Sequence, residues 1–290
     1  MPSLTAPYIA AKYCKKKNIR FVIDIQDLWP EAFKMVFKVP VISTLVFAPF
    51  TCLANYIYSH ADSVCAVSET YVKRALDVNK KVASGVSVYL GTRLAEFDKY
   101  AKQPISMEKY SNEIWLAYIG TLGHSYDLTS VFDAIKILTE QKIQNLKLIV
   151  MGDGPLRNQF EKDSASLPVF FTGKLPYSEM VALLTKCDIS VNPIKSGSAG
   201  SIINKVGDYA ASGLPVINTQ ECPEYWDIVE SKQIGINCEN GNSLQMAETI
   251  KLLLDNQELR KEFGANNRKL AEERFDREKS YPLLVEAILG

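Results

Sequence analysis

The chain has 290 residues, and its 33 lysines and arginines are balanced by 33 aspartates and glutamates, so the formal net charge is zero. This length suffices for one large domain or two of ordinary size, and the balanced charge argues against a dedicated nucleic-acid binder. The six cysteines include no CxxC pair, and with two histidines they form no cluster at metal-ligand spacing. We therefore expect a reduced, cytoplasmic protein without a metal.

The first predicted strand carries a polar group at its carboxyl end. Pro7–Lys17 has helical spacing, and the apolar run Phe21–Ile25 follows it as a buried strand. Asp27 comes directly after this strand, at the edge where open α/β sheets bind ligands. Asp27 is therefore a candidate active-site residue, although its carboxylate is equally suited to capping the next helix.

The segment from 33 to 58 is rich in apolar and aromatic residues. Its stretch from 39 to 57 has no charge, but Pro40 and Pro49 interrupt it and several polar residues lie within it. A membrane-spanning helix needs about 20 mostly apolar residues. We expect instead a buried helix, or a helix whose apolar face rests on a membrane surface.

Two further strands and a linker are expected before residue 113. Apolar runs at Ser63–Val67 and Val86–Leu90 predict the strands, and Ser68 is the expected N-cap of the helix between them. Glu96–Asn112 is polar and has no clear periodicity. This polar segment is the candidate linker between two domains.

Strands and helices alternate regularly from Glu113 onward. Six short apolar runs, each followed by turn residues, predict strands at Ile114–Ile119, Leu146–Met151, Val169–Thr172, Ile189–Ile194, Leu214–Asn218 and Ile234–Cys238. Helical spacing predicts a helix after each of the first five strands and a long helix over Ser243–Glu273. This order predicts an α/β domain with a doubly wound parallel sheet.

One stretch, SGSAGSIINKVGDYAASGLPVINT from 196 to 219, combines a loop of small residues with a predicted helix over Ser201–Ala211. Ser201 is the expected N-cap, and free backbone amides at such a helix start would bind an anion such as a diphosphate. Lys205 and Asp208 lie three residues apart, on one face of this helix. A cation and a carboxylate there suit a phosphate and a ribose diol, but an exposed ion pair after an ordinary loop has the same pattern.

The order of several motifs resembles a known family. The motifs are YIGTLGHSYDL, LIVMGDGP, VFFTGKLPYSEM, CDISVNPI and SIINKVGDYAASGLPVIN. From Ile114 to Glu286 the chain resembles the C-terminal domain of retaining glycosyltransferases of family 4. FVIDIQDLWPE and ADSVCAVSETYVKRAL resemble the second half of that family's N-terminal domain. The resemblance implies the GT-B fold, with two Rossmann-like doubly wound parallel-sheet domains, the N-terminal one incomplete.

The resemblance assigns a donor-binding set on the C-terminal domain. It implies that the loop of Gly120, Thr121, Leu122 and Gly123 lies beside the donor diphosphate. The backbone of Lys174 and Leu175 would frame the nucleobase, and Lys205 would contact the donor phosphate. Asp208 stands where the second glutamate of the family's Glu-x7-Glu motif contacts the ribose. Gly200 and Ser201 complete the expected donor-binding residues.

The chain departs from the family pattern in four respects. Gly200 occupies the position of the first glutamate of the Glu-x7-Glu motif. No arginine or lysine occurs in GTLGHSYDL, where many members have both, and Gln26 stands where many have an active-site histidine. The family's opening strand, its Gly-rich loop and its first helices have no counterpart within this sequence. Lys205 would therefore supply more of the charge neutralisation than in other members.

These observations imply domains at 1–103 and 113–274, with a C-terminal helix at 275–290 packing back on the first domain. We expect a metal-independent glycosyltransferase without a cofactor, with Lys205 and Asp27 as its catalytic residues. Its expected donor is a nucleotide-sugar, and we expect this donor to be UDP-linked. Its expected acceptor is a glycan or a lipid-linked acceptor in cell-surface polysaccharide synthesis. Residues 33–58 are expected to contact the membrane surface. A donor-binding remnant that needs a separate N-terminal polypeptide is the alternative, and a sugar-nucleotide epimerase of the same fold is a further one.

Overall fold

The computed structural model describes residues 3–31, 40–198 and 200–290, and side chains in the second range from residue 45 on. The chain divides into two compact units. The N-terminal unit comprises residues 1–90, 200–202 and 278–290, and the C-terminal unit comprises 91–199 and 203–277. Each unit has its own parallel sheet.

The N-terminal unit has the three strands that its apolar runs predict. They are β1 (Val22–Ile25), β2 (Ser63–Ala66) and β3 (Val86–Ser87), and they pair in parallel in the order β1-β2-β3. The part before Leu90 that the structure describes contains the helices α1 (Thr5–Lys17), α2 (Pro40–His60) and α3 (Glu69–Leu76). Buried side chains from β1, β2 and the three helices form one core.

Two hydrogen-bonded groups define helix ends in this unit. The Ser68 hydroxyl accepts the Tyr71 amide at 3.3 Å, which confirms Ser68 as the N-cap of α3. The Arg20 guanidinium donates to the Ile288 carbonyl at 2.6 Å and to the Ala287 carbonyl at 2.9 Å. These carbonyls end the last helix, Arg277–Leu289, so Arg20 satisfies acceptors that have no partner within the helix.

Helix α2 exposes several apolar side chains near the start of its described part. Leu45 is 73% exposed, Val46 58% and Phe50 44%. Within the described ranges, no helix has both the length and the apolar character needed to cross a bilayer. Residues 33–39 of the segment expected to meet a membrane lie outside the described part of the chain.

The C-terminal unit contains the predicted six-stranded parallel sheet. Its strands are β4 (Ile114–Ile119), β5 (Leu146–Met151), β6 (Val169–Gly173), β7 (Ile189–Asn192), β8 (Val216–Asn218) and β9 (Gly235–Asn237). They pair in the order β6-β5-β4-β7-β8-β9. Most strand residues are buried, as expected for a parallel sheet covered on both faces, which explains why the strands appear as continuous apolar runs.

The helices of this unit differ from the sequence predictions at three places. They are α4 (Leu94–Tyr100), α5 (Leu128–Glu140), α6 (Arg157–Asp163), α7 (Tyr177–Leu184), α8 (Lys205–Ala211), α9 (Pro223–Ser231), α10 (Ser243–Asp255) and α11 (Gln257–Leu270). Helix α4 overlaps the first residues of the expected linker. The helix expected over Ser243–Glu273 is broken at Asn256, whose side chain accepts the Leu259 amide at 3.0 Å and so caps α11. The third difference, the start of α8, belongs to the candidate site.

A buried tyrosine on α8 joins the two central strands. Regular pairing of β4 with β7 ends at Ala117 and Ser190. Beyond that point the Tyr209 hydroxyl accepts the Ile119 amide at 3.0 Å and donates to the Val191 carbonyl at 3.1 Å. Tyr209 is fully buried. Its hydroxyl therefore supplies the partners that the diverging strands no longer supply to each other.

We expect Tyr209→Phe to lower the free energy of unfolding by about 1–3 kcal/mol, because it leaves a buried amide and a buried carbonyl without partners. Urea denaturation of the full chain measures this loss. Tyr110→Phe is the matched control, since Tyr110 is 60% exposed and surface changes of this kind shift stability by less than about 0.5 kcal/mol. Equal effects of the two variants would contradict a structural role for the Tyr209 hydroxyl.

Candidate functional site

The strand order of the C-terminal sheet creates a crevice beside β4. The chain leaves β4 toward β5 and β6 on one side, and later returns to form β7, β8 and β9 on the other. Open α/β sheets bind ligands at such a reversal, outside the carboxyl ends of the strands. The loops after β4 and β7 are joined there, because the Asp127 amide donates to the Pro193 carbonyl at 2.9 Å and the Lys195 amide to the Ser125 carbonyl at 3.0 Å.

The loop after β4 offers fewer free amides than its sequence suggests. Gly120 has φ of 126°, a conformation that favours glycine. The Gly120 amide donates to Met151, and the Leu122 amide donates to Asp153. The side chain of Leu122 is fully buried. Among the described residues, the amides of Thr121 and Gly123 have no acceptor. Of the four residues expected beside the diphosphate, only Thr121 and Gly123 therefore offer a free backbone amide.

Helix α8 begins four residues later than predicted. Its first residue is Lys205, and its N-cap is Asn204, whose side chain makes no capping hydrogen bond. The prediction that Ser201 caps the helix is wrong. Ile202 and Ile203 are β-branched and lower the helix propensity at this point. A helix start beside the 196–200 loop is therefore not present, and Gly200 and Ser201 group with the N-terminal unit.

The amine of Lys205 lies in a cage of two tyrosines. Its Nζ is 4.1 Å from the ring centroid of Tyr118 and 4.0 Å from that of Tyr126. Lys205 is only 9% exposed, and its amine has no hydrogen-bond or ion-pair partner in the described part of the chain. Burial lowers the pKa of Lys205 well below its ordinary value. A Cβ at Gly120 would lie 3.1 Å from Nζ, so the amine directly faces this loop.

The carboxylate of Asp208 has a different environment. The Tyr177 hydroxyl donates to its Oδ1 at 2.7 Å, and the hydroxyls of Tyr177 and Thr92 are 2.6 Å apart. Burial raises the pKa of Asp208, while the hydrogen bonds of Tyr177 and Thr92 oppose this change. Asp208 and Tyr177 both line a pocket of about 300 Å³. The alternative of an exposed Lys205–Asp208 ion pair is wrong, since Lys205 is buried and the two side chains have different neighbours.

The remaining predicted residues lie at strand ends. Lys174 is exposed and follows Gly173, whose φ is 74°. Leu175 lines a larger cavity of about 640 Å³ on the same unit. In the N-terminal unit, Asp27 is exposed just beyond β1. The helix that Asp27 was alternatively expected to cap was predicted from Glu31 onward, and residues 32–39 lie outside the described part of the chain.

Sequence reasoning missed the aromatic and hydroxyl groups of this site. Tyr118 stands inside the apolar run IWLAYI and is indistinguishable there from a core residue. Tyr126, Tyr177 and Thr92 come from segments far apart in the chain, so no local pattern brings them together. The one available signal is that Tyr177 follows the predicted nucleobase segment by two residues. In the residues that the structure covers, no three His, Cys, Asp or Glu side chains are grouped to hold a metal ion.

Several solved structures have the same fold as this chain. HepE of Anabaena, in complex with UDP, superposes with a TM-score of 0.75 at 15% identity and covers 99% of this chain and 76% of its own. WaaG, a glycosyltransferase involved in lipopolysaccharide biosynthesis, superposes with a TM-score of 0.65 at 15% identity and covers 97% of this chain and 80% of its own. These likenesses confirm the expected α/β fold of the GT-B type.

Two relatives found by sequence similarity are named glycosyltransferases. An uncharacterized glycosyltransferase of Methanocaldococcus jannaschii, MJ1069, is 23% identical over 79% of this chain, and a second, MJ1178, is 27% identical over 75%. The chain spans 58% and 56% of the lengths of these two relatives. The family of glycosyl transferases group 1 matches residues 100–270, which is more than half of the chain. The chain therefore belongs to the glycosyl transferases group 1 family.

Proposed function

We propose that this protein is a retaining, metal-independent glycosyltransferase of family 4 that takes a sugar from a UDP-linked donor. The observation that carries the proposal is the buried, unpartnered amine of Lys205 at the reversal point of the C-terminal sheet. A buried amine without a partner destabilises a protein, and such groups cluster at functional sites. The UDP bound to HepE, which has the same fold, supports a uridine nucleotide as the donor.

The positions of the Lys205 amine and the nearby backbone amides suit stabilisation of a departing diphosphate. Breaking the bond between sugar and diphosphate develops negative charge on the leaving oxygen. The Lys205 amine would stabilise this charge, together with the free amides of Thr121 and Gly123. Because the tyrosine rings already hold the amine in place, little reorganisation is needed when the charge forms.

The other donor contacts follow from the same placement. The carboxylate of Asp208 would accept two hydroxyls of the ribose. The backbone of Lys174 and Leu175 would frame the uracil, and Gly200 and Ser201 complete the proposed donor residues. On the N-terminal unit, Asp27 is proposed to contact the acceptor, a glycan or a lipid-linked glycan in cell-surface polysaccharide synthesis. We propose that these contacts belong to two domains, at 1–103 and 113–274, with the helix at 275–290 packing on the first.

We expect calorimetric titration of the full chain to show binding of UDP in preference to GDP and ADP. Addition of magnesium should leave the UDP affinity unchanged, because Lys205 and backbone amides would neutralise the diphosphate without a metal. A folded chain that binds none of the three nucleotides would refute the proposed function. Binding only in the presence of magnesium would refute the metal-independent form of the proposal.

We expect Lys205→Met to weaken UDP binding by about 1.5–3 kcal/mol, the value of a charge-assisted contact. The same change should leave the unliganded protein equally stable or more stable, because methionine fills similar space without a buried amine. The exposed Lys232 provides the matched control: Lys232→Met should alter neither quantity. A Lys205→Met variant with wild-type UDP affinity would remove Lys205 from the donor site.

The stability difference between Lys205→Met and the wild type should depend on pH. The folded pKa of Lys205 is lowered from 10.5, so between the two pKa values the unfolded chain binds more protons than the folded one. Wild-type stability therefore rises with pH across this window. The advantage of the methionine variant should be largest below the folded pKa and shrink toward pH 10.5. Urea denaturation at several pH values measures this trend, and a difference that grows with pH would contradict it.

We further propose that the protein acts at the cytoplasmic face of a membrane through helix α2. The described part of α2 exposes Leu45, Val46 and Phe50. Helix α1 packs beside α2 within the same unit, with the rings of Tyr8 and Tyr56 5.0 Å apart, and α1 ends in three consecutive lysines. Apolar side chains that enter the interface and cations that attract anionic lipids are the two components of peripheral membrane binding.

We expect Leu45→Glu combined with Phe50→Glu to reduce co-sedimentation with vesicles that contain anionic lipid. Full burial of one large apolar side chain in the membrane interface would contribute about 1.5–3 kcal/mol, and the double variant loses two such side chains. Leu244→Glu is the matched control, since Leu244 is 59% exposed on the C-terminal unit. Unchanged sedimentation of the double variant would rule out α2 as the contact surface.

A further inference from the structure

Three side chains of the C-terminal unit form a directed chain of hydrogen bonds. The Tyr177 hydroxyl is 2.6 Å from the Thr92 hydroxyl and donates to Asp208 Oδ1 at 2.7 Å. A phenol has a single proton, and a carboxylate can only accept. Tyr177 therefore donates its proton to Asp208, and the Thr92 hydroxyl lies within hydrogen-bonding reach of both Tyr177 and the Asp208 carboxylate.

The backbone holds the first member of this chain in place. The Thr92 amide donates to the Phe275 carbonyl at 2.8 Å, and the Thr92 carbonyl accepts the Arg277 amide at 2.9 Å. The preceding residue, Gly91, packs so closely that a Cβ there would lie 1.8 Å from the Phe275 carbonyl oxygen. Thr92 cannot shift without breaking these contacts, so its hydroxyl is a fixed point for Tyr177.

The second member is also restrained. The ring of Tyr177 packs edge-on against that of Tyr100, with ring centroids 6.1 Å apart. Tyr177 is the first residue of helix α7, which positions its backbone. Tyr177 is nevertheless 40% exposed, so its side chain is not needed to fill the core. The restraint places the phenol where it can act on Asp208.

The carboxylate at the end of the chain retains capacity for further donors. An ionised carboxylate offers about four acceptor positions, and the described neighbours of Asp208 occupy only part of them. Asp208 lines a polar pocket of about 300 Å³ together with Asn204, Arg93, Glu96 and Arg277. A carboxylate with one oxygen held by a phenol has its plane fixed. It therefore presents its remaining lone pairs in one orientation.

We propose that Tyr177, supported by Thr92, is a positioning residue that orients Asp208 to accept both hydroxyls of a ribose and thereby makes the site selective for ribonucleotides. This inference rests on the proposed function, since it takes the nucleotide donor as the ligand. Vicinal hydroxyls donate in parallel to a carboxylate only if its plane is aligned with them. Loss of the phenol frees the carboxylate to rotate. This rotation weakens the binding of a ribose, which needs two aligned hydrogen bonds, more than the binding of a deoxyribose, which needs one.

The test compares UDP with 2′-deoxy-UDP as ligands of the full chain, by calorimetry without metal. The wild type should bind UDP about tenfold or more tightly than 2′-deoxy-UDP, the loss expected for one hydrogen bond to a charged group. In Tyr177→Phe this ratio should fall severalfold, because UDP binding weakens while binding of the deoxy ligand changes little. Thr92→Val should change the ratio in the same direction, and Tyr110→Phe should leave it unchanged.

Each outcome bears on one proposal. A wild type that binds UDP, with a ratio that Tyr177→Phe and Thr92→Val leave unchanged, overturns the inference while the proposed function stands. An equal loss of both ligands in the variants also overturns it, since that is the result of general damage to the site. A folded wild type that binds neither ligand overturns the proposed function and this inference with it. Because Thr92→Val tests the same chain from its other end, a poorly folded Tyr177→Phe does not prevent a decision.

Discussion

The placement of helix α8 depends on the hydroxyl of Tyr209. Where β4 and β7 diverge, this hydroxyl accepts from one strand and donates to the other. The two bonds fix the helix over the carboxyl edge of the sheet at the point where the strand order reverses. Lys205 and Asp208 lie four residues and one residue before Tyr209 on the same helix, so the buried hydroxyl also determines where the cation and the carboxylate of the site stand.

The two charged groups are held by different means. Lys205 has no hydrogen-bond or ion-pair partner among the described residues and lies over the rings of Tyr118 and Tyr126. Ring faces attract a cation without neutralising it, so the amine stays available to an anion. Asp208 is instead held by a directed hydrogen bond from Tyr177. A partner that fixes orientation would suit the proposed role of Asp208 as the acceptor of two hydroxyls, whereas a cage of rings would suit the proposed role of Lys205, which acts mainly through its charge.

Most of the fold could be predicted from the sequence, because buried parallel strands are short apolar runs with turn residues after them. All nine strands found among the described residues lie where these runs predict them. Helix ends were less predictable, since they depend on single residues. Asn256 breaks the expected C-terminal helix, and Ile202 and Ile203 precede the true start of α8. Helix α4 extends into the expected linker, which shows that part of a polar segment without clear periodicity can still pack as a helix.

The residues of the candidate site also differ in how far the sequence predicts them. Lys205 and Asp208 could be selected from the sequence because the spacing on one helix and the family motifs both mark them. Tyr177 and Thr92 could not, because their positions 31 and 85 residues from their partners carry no local pattern. The sequence also could not show that Lys205 is buried.

Burial determines the chemistry of Lys205. An exposed lysine would be charged in both the free and the bound protein, and solvent and salt would screen its attraction for a phosphate. A buried amine loses part of its tendency to be charged until an anion arrives, and its attraction for that anion is then little screened. The same desolvation that destabilises the free protein would therefore strengthen the proposed interaction with a diphosphate. This relation explains how one lysine and two backbone amides could replace the additional cations that many members of the family place in the loop after β4.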